Sequence, residues 1–276
     1  MMKKINDIIG DAKTIGIAGH VRPDGDCMGS CMSLYNYLKK NRPDLDVRVF
    51  LEFVDKKFNI IENTDQIITT GYDGTKFDLF ISLDTASLDR LGLNLPFYEN
   101  AKRTACIDHH ASNDGYADYN YILPKASSAS EVLYDLLDED LIDKSIAEPM
   151  YMGIAHDSGV FRFQSTTPKT MRIAANMIEK GVNVNMILEE TFFRKTYNQM
   201  MVTAKIQSEA VLALDGKCIY GYCTSEMMEE YGVTTKDLDA VVASIRNVDG
   251  VEVAMFLYQL SENSYKVSLR SKNYVD

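Results

Sequence analysis

Residues 14–50 read TIGIAGHVRPDGDCMGSCMSLYNYLKKNRPDLDVRVF, and this stretch decides the fold. Thr14-Ile15-Gly16-Ile17-Ala18 is a short apolar run, and Pro23-Asp24-Gly25-Asp26 is turn chemistry. From Gly29 to Lys40 the apolar residues Met32, Leu34, Tyr35 and Leu38 fall close to helical spacing, and Asp46-Val47-Arg48-Val49-Phe50 returns as a strand. Strand, tight loop, helix and strand together make a βαβ unit.

The same pattern continues outward. Phe77–Leu83 and Arg103–Ile107 are further near-continuous apolar strands. Such strands alternating with helices predict an α/β fold, with a parallel sheet covered by helices on both faces. Residues 128–138 carry Ala129, Val132, Leu133, Leu136 and Leu137 on one helical face, with Ser128 as N-cap and Glu131 three residues on. Helices are also expected from about Ile146 to Ala155 and from Pro168 to Lys180, the latter closed by Gly181. From about Asn183 to Ala210 the pattern is helical with no Pro or Gly, as a bridge between two domains would be. Strands at 211–214 and 218–223, a helix at 234–246 and a hairpin of about 251–260 and 264–270, turning at Glu262-Asn263-Ser264, complete the chain. The division expected is a larger domain at 1–185, a helical linker at 186–210 and a small α/β domain at 211–276.

A length of 276 residues suits one larger domain plus a smaller one, and 46% apolar residues provide material for a core. No apolar run approaches the roughly 18 residues that span a bilayer. The start, Met1-Met2-Lys3-Lys4-Ile5, has no apolar stretch behind its charge, unlike a signal peptide. The expectation is a cytoplasmic protein without a membrane partner. Cys27, Cys31, Cys106, Cys218 and Cys223 are odd in number and show no C-x-x-C spacing, which predicts reduced thiols. The net charge of −11 argues against holding long nucleic acid on a basic surface. It leaves room for a small phosphorylated substrate, since bound cations would neutralise metal-binding carboxylates.

Each apolar strand runs into an acidic or histidine residue. The first is followed by His20, Asp24 and Asp26, another by Asp84, and a third by Asp108, His109 and His110; His156 and Asp157 follow an apolar helix. Ligands of parallel sheets bind beyond the carboxyl ends of the strands, so three clusters should converge on one edge while the fourth joins from a loop. Each piece alone has a plainer meaning: a turn, a helix cap, a surface histidine. Yet all four histidines of the chain lie in these clusters. Carboxylates and imidazoles without thiolates suit Mn²⁺ or Mg²⁺. Aspartates gathered this closely would repel one another without cations between them. Two ions about 3.5–4 Å apart resolve that repulsion and form a hydrolytic device.

With GHVRPDGDCMGS, ISLDTASLDRLG, IDHHASN and GIAHDSGVFRF in this order, the sequence resembles the DHH phosphoesterase superfamily, over essentially the whole chain. Within it the likeness is to nanoRNase and pAp phosphatase proteins, which carry a DHH domain followed by a DHHA1 domain. The resemblance implies that His20 and Asp24 bind one metal, that Asp26, His109 and Asp157 bind the other, and that Asp84 bridges both. It implies that His110 faces the substrate phosphate and that Asp108 orients a neighbouring imidazole. Arg270 matches a substrate-binding arginine of the second domain. His156 stands where threonine is frequent, and either a substrate contact or a structural role fits it. The family's glycine-rich segment, expected after YKVSLRSK, does not appear before Asp276, as in a truncated second domain. The implied activity is manganese-dependent hydrolysis of short oligoribonucleotides and 3′-phosphoadenosine 5′-phosphate, and a homodimer is compatible with it. Hydrolysis of cyclic di-AMP or pApA, soluble pyrophosphatase activity, and metal and nucleotide binding without turnover are the alternatives.

Overall fold

The computed structural model describes residues 4–238, 241–272 and 274–275. The chain divides into two compact units, Met1–Phe193 and Arg194–Asp276. In the first, β1 (Thr14–Ala18), β2 (Asp46–Phe50), β3 (Leu79–Leu83), β4 (Thr104–Asp108) and β5 (Tyr119–Ile122) form one sheet in the order β2-β1-β3-β4-β5. All its pairings are parallel. Every residue of β3 and β4 is buried, which is why these strands read as unbroken apolar runs. The winding reverses between β1 and β3, and such a reversal opens a crevice at the carboxyl ends of the two strands.

Beside the short α1 (Ile5–Ile9) and α3 (Leu95–Glu99), two longer helices carry the site against this sheet. The first, α2 (Gly25–Asn41), begins four residues earlier than the apolar spacing suggested. Asp24 caps it, its Oδ1 accepting from the backbone N–H groups of Asp26 and Cys27 at 3.1 Å each. The second is α5 (Lys144–Asp157), which contains Pro149. A proline inside a helix leaves the carbonyl four residues back without its donor. Here the buried Asn36 of α2 supplies one, its Nδ2 donating to the Ser145 carbonyl at 2.9 Å. The helices approach closely because both present glycine. A Cβ on Gly29 would stand 2.4 Å from the Pro149 carbonyl oxygen and 2.8 Å from the Gly153 Cα. Gly25 lies against His156 and Gly29 against Gly153, so the pair is antiparallel and the start of α2 meets the end of α5.

Ser128 caps α4 (Ala129–Leu136) as expected, accepting from the Glu131 N–H. The Glu131 carboxylate does not close a capping box. It is buried and accepts from the hydroxyls of Ser127 and Thr170. After α6 (Pro168–Glu179), the single helix expected over 183–210 is broken. It becomes α7 (Val184–Leu188), a π-turn at Glu189–Phe193 and α8 (Tyr197–Glu209). Thr196 restarts the chain with a capping box to Gln199, a signal the unbroken periodicity concealed.

In the second unit β6 (Val211–Ala213), β7 (Cys218–Cys223), β8 (Val253–Ser261) and β9 (Ser264–Ser271) form a sheet in that order, with β7 and β8 parallel. Its core includes Val202 and Ile206 of α8 together with Ile219, Ile245 and Phe256. The helix expected at 234–246 is a 3₁₀ turn at Thr235–Leu238 and a helix at Val241–Arg246, and residues 239 and 240 lie outside the described ones. The expected hairpin is β8-β9. The short edge strand β5 escaped the sequence reading because its half-buried Tyr-Asn-Tyr-Ile lacks a continuous apolar run.

Candidate metal centre

The segments following β1, β3 and β4 meet the last turn of α5. Asp157 is the final residue of that helix, so the fourth cluster arrives on a helix end and not from a loop.

Asp84 lies at the centre. Its side chain is 3% exposed, its Oδ1 has no hydrogen-bond partner, and its backbone sits in the left-handed region at φ +50°. A non-glycine residue there costs ~1–3 kcal/mol and persists where surrounding structure enforces it. Its two oxygens face different groups. Oδ2 is 3.4 Å from His20 Nε2, while Oδ1 is 3.6 Å from His109 Nε2. His20 Nε2 is also 3.7 Å from Asp24 Oδ2, and His109 Nε2 is 3.3 Å from Asp157 Oδ2. Three sets of donor atoms lie within 4.8 Å of one another: His20, Asp24 and Asp84; Asp26, His109 and Asp157; and Asp84, His109 and His110.

The surroundings aim these atoms. His20 Nδ1 lies 2.7 Å from the Val21 carbonyl, which places the proton there and turns the Nε2 lone pair toward Asp84. Asp26 is buried against the start of α4, accepting from the N–H groups of Ala129 at 2.6 Å and Ser130 at 3.0 Å and from Ser130 Oγ at 2.6 Å. Helix-start N–H groups lack intrahelical acceptors, so the carboxylate and the helix satisfy each other. His110 Nδ1 bonds Asp108 Oδ1 at 2.8 Å but stands 3.6 Å from Asp84 Oδ1. That nitrogen is engaged with Asp108, and no hydrogen bond among the described residues occupies Nε2.

The charges depend on one another. Burial opposes the His20 cation, but Cys27, Asp24 and Asp84 outweigh it and raise the pKa of the ring. Since burial also pushes the Cys27 thiol well up, the two carboxylates carry the effect. Burial likewise opposes the His109 cation, and Asp84, Asp26 and Asp157 hold it at about 10. Burial, with Asp84 and Asp24, pushes Asp157 up to about 6. Without metal the cluster therefore retains protons on both imidazoles at neutral pH. A metal ion held by these imidazoles would have to displace those protons, because only a neutral imidazole is a ligand. Mn²⁺ binding at pH 7 is expected to release protons and to weaken as pH falls, which calorimetry in buffers of different ionisation enthalpy measures. Binding heats independent of the buffer would contradict this charge state.

The donor set fits a divalent cation. It offers oxygens and imidazole nitrogens, and the buried Asp84 Oδ1, without a hydrogen-bond partner among the described residues, is open to a cation.

Two residues lie outside the expected set or outside its roles. Asn113 is buried and donates from Nδ2 to Asp108 Oδ2 at 2.7 Å and to the Thr85 carbonyl at 3.1 Å, fixing the carboxylate that orients His110. Its place within IDHHASN was the only available signal. His156 turns away from the cluster: its Nε2 bonds Thr191 Oγ1 at 2.8 Å, and its ring packs on Phe58 and Phe192. Burial and Lys57 lower it to about 4, so it is neutral and structural. Arg270 lies exposed on β9 in the second unit, opposite Ala254, with its Nη1 on the Leu269 carbonyl.

A reversed parallel sheet with aspartates and histidines gathered at its switch point defines a class that comparison identifies. Residues 14–154 match the DHH family, N-terminal domain, and the chain belongs to that family. It is 31% identical over 268 residues to the bifunctional oligoribonuclease and PAP phosphatase NrnA of Thermus thermophilus, covering 94% of this chain and 76% of that protein. To the protein of the same description from Bacillus subtilis it is 26% identical over 264 residues, covering 94% and 82%. The fold is shared with an exopolyphosphatase-related protein from Bacteroides fragilis, at a TM-score of 0.87 and 22% identity over 97% of this chain and 82% of that one. Among the described residues no helix is long and apolar enough to cross a membrane.

Proposed function

We propose that this protein hydrolyses phosphoester bonds in short oligoribonucleotides and in adenosine 3′,5′-bisphosphate (PAP), using two divalent ions, with Mn²⁺ the first candidate. The observation that carries the reading is the buried Asp84 carboxylate, with one oxygen toward His20 and Asp24 and the other toward His109 and Asp157. His20, Asp24 and Asp84 would hold one ion, and Asp26, His109, Asp157 and Asp84 the other. When bound, such ions supply Lewis-acid polarisation of the phosphate and a nucleophilic water at neutral pH.

The chain's own residues do the rest. His110 is about two-fifths exposed, so its free Nε2 is open to substrate. The Asp108 hydrogen bond, joined by Asp84, raises its pKa and favours the cation, which carries a proton on both nitrogens. His110 can then donate from Nε2 to a phosphate oxygen or to the departing oxygen. Asp108, held by Asn113, keeps the ring in that orientation. The resemblance of the sequence and the names of the relatives support the two substrate classes.

The test is Mn²⁺-dependent turnover of PAP, a short RNA and pApA side by side. Release of phosphate or mononucleotide from the first two is expected. A clear preference for pApA would move the protein to cyclic-dinucleotide degradation, and Mn²⁺ binding without turnover would make it a binding protein. His110→Ala should keep the Mn²⁺-induced rise in melting temperature and lose about 10²–10⁴ in kcat, the contribution typical of a positioned proton donor. Loss of the metal response as well would make His110 a ligand.

A further inference from the structure

Arg22 and Arg90 have no use in the mechanism above. In the first unit Arg42, Arg48 and Arg103 are each paired with an aspartate, whereas Arg162 and Arg172 are exposed and unpaired among the described residues but lie outside the segments that follow β1 and β3. Arg22 and Arg90 are exposed, and their guanidinium groups make no hydrogen bond or ion pair among the described residues. Both stand at the switch point. Arg22 lies between His20 and Asp24 in the loop after β1, and Arg90 lies in the segment after β3 that begins with Asp84. The two segments are tied directly, the Val21 N–H donating to the Arg90 carbonyl at 2.7 Å. Val21 also packs on Gly92, where a Cβ would come within 2.4 Å of it.

The backbone at Arg22 is in the left-handed region, at φ +54°, which a long side chain rarely adopts. It is held there by the Arg22 N–H donating to Glu52 Oε2 at 3.0 Å. The strained, clamped loop that carries this unpaired side chain also carries His20 and Asp24 of the donor cluster, and strain kept at such a place has the character of a binding device. The charge balance says what it binds. Two divalent ions would largely neutralise the clustered aspartates and leave little attraction for a second anionic group. Guanidinium forks recognise phosphate oxygens in pairs.

We infer that Arg22 and Arg90 form an anion subsite beside the metal ligands that takes a second phosphate of the substrate, one not being cleaved. This inference rests on the phosphoesterase reading. It makes the pair the feature that favours nucleotides with two phosphates over simple phosphate esters.

The test compares wild type, Arg22→Ala, Arg90→Ala and the double variant, with Arg172→Ala on α6 as a charge-matched control. PAP and bis(p-nitrophenyl) phosphate, which has a single phosphate, serve as substrates with Mn²⁺, and PAP binding is measured separately by calorimetry. Each single variant should raise KM and Kd for PAP about 10- to 100-fold, as loss of a charged hydrogen bond implies. kcat/KM for bis(p-nitrophenyl) phosphate and the control variant should stay within about twofold. Arg22→Lys should recover part of the affinity, because the charge returns without the fork. Equal losses on both substrates, or unchanged PAP binding, would overturn the subsite. If wild type fails to hydrolyse PAP but binds it in an arginine-dependent way, the proposed reaction falls and the subsite stands. If wild type does not bind PAP, the subsite falls, whatever is hydrolysed.

Discussion

Asp84→Asn is expected to lower hydrolysis by at least about 10³-fold. Asparagine is nearly isosteric and tolerates a positive φ, so the left-handed backbone at +50° survives. What is lost is the charge on the carboxylate facing both donor sets, 3.4 Å from His20 and 3.6 Å from His109. The remaining ligands then form two separate and weaker sites. Loss of one or two orders of magnitude in metal affinity is common even for residues that only support a ligand, and a shared ligand should cost more. Two readings check this: kcat on PAP at saturating Mn²⁺, and the number of ions bound at equilibrium. A mutant near the wild-type rate would sink the two-metal model. A slow mutant that still binds two ions tightly would show that Asp84 acts on the reaction without holding metal.

Gly29→Ala should be nearly as damaging by a different route. The added methyl would lie 2.4 Å from the Pro149 carbonyl oxygen and 2.8 Å from the N and Cα of Gly153. All three are backbone atoms, so no side-chain rotation relieves the contact and α2 and α5 must separate. Overpacking of this kind costs about 3 kcal/mol. For a unit of this size that is a fall of roughly 6–12 °C in melting temperature. The displacement also bears on the chemistry, because Asp26 lies one turn before Gly29 on α2 and Asp157 lies one turn after Gly153 on α5. Calorimetry and turnover measured well below the melting point separate the two effects. An unchanged melting temperature would mean that the helices do not pack this closely. A lower one with full activity would mean that the site tolerates their separation.

Much of the site was legible in the sequence because its chemistry is local. His20, Asp24 and Asp26 share one tight loop, and Asp84, Asp108 and His109 each stand at the end of an apolar strand. Parallel pairing brings such strand ends together. The strands announced themselves through burial on both faces, which leaves no polar alternation to confuse with a helix. Elements were misread where local pattern and tertiary demand diverge. The break at Arg194–Thr196 lies inside a polar helical pattern, and the edge strand β5 is too short and too exposed to show a period.

The sequence by itself determined the parallel sheet, the order of the four clusters and the residue types able to hold a hard cation. Each of these follows from hydrophobic periodicity and from which atoms a side chain carries. Only the tertiary structure decided how those atoms divide. It turned one oxygen of Asp84 toward each donor set, engaged His110 Nδ1 with Asp108, seated Asp26 on the start of α4 and turned His156 away toward Thr191. These are orientations set by contacts between residues up to 104 positions apart, as between Asp26 and Ser130. A one-dimensional pattern specifies which faces are buried, but the direction of a lone pair is fixed only when the groups around it are in place.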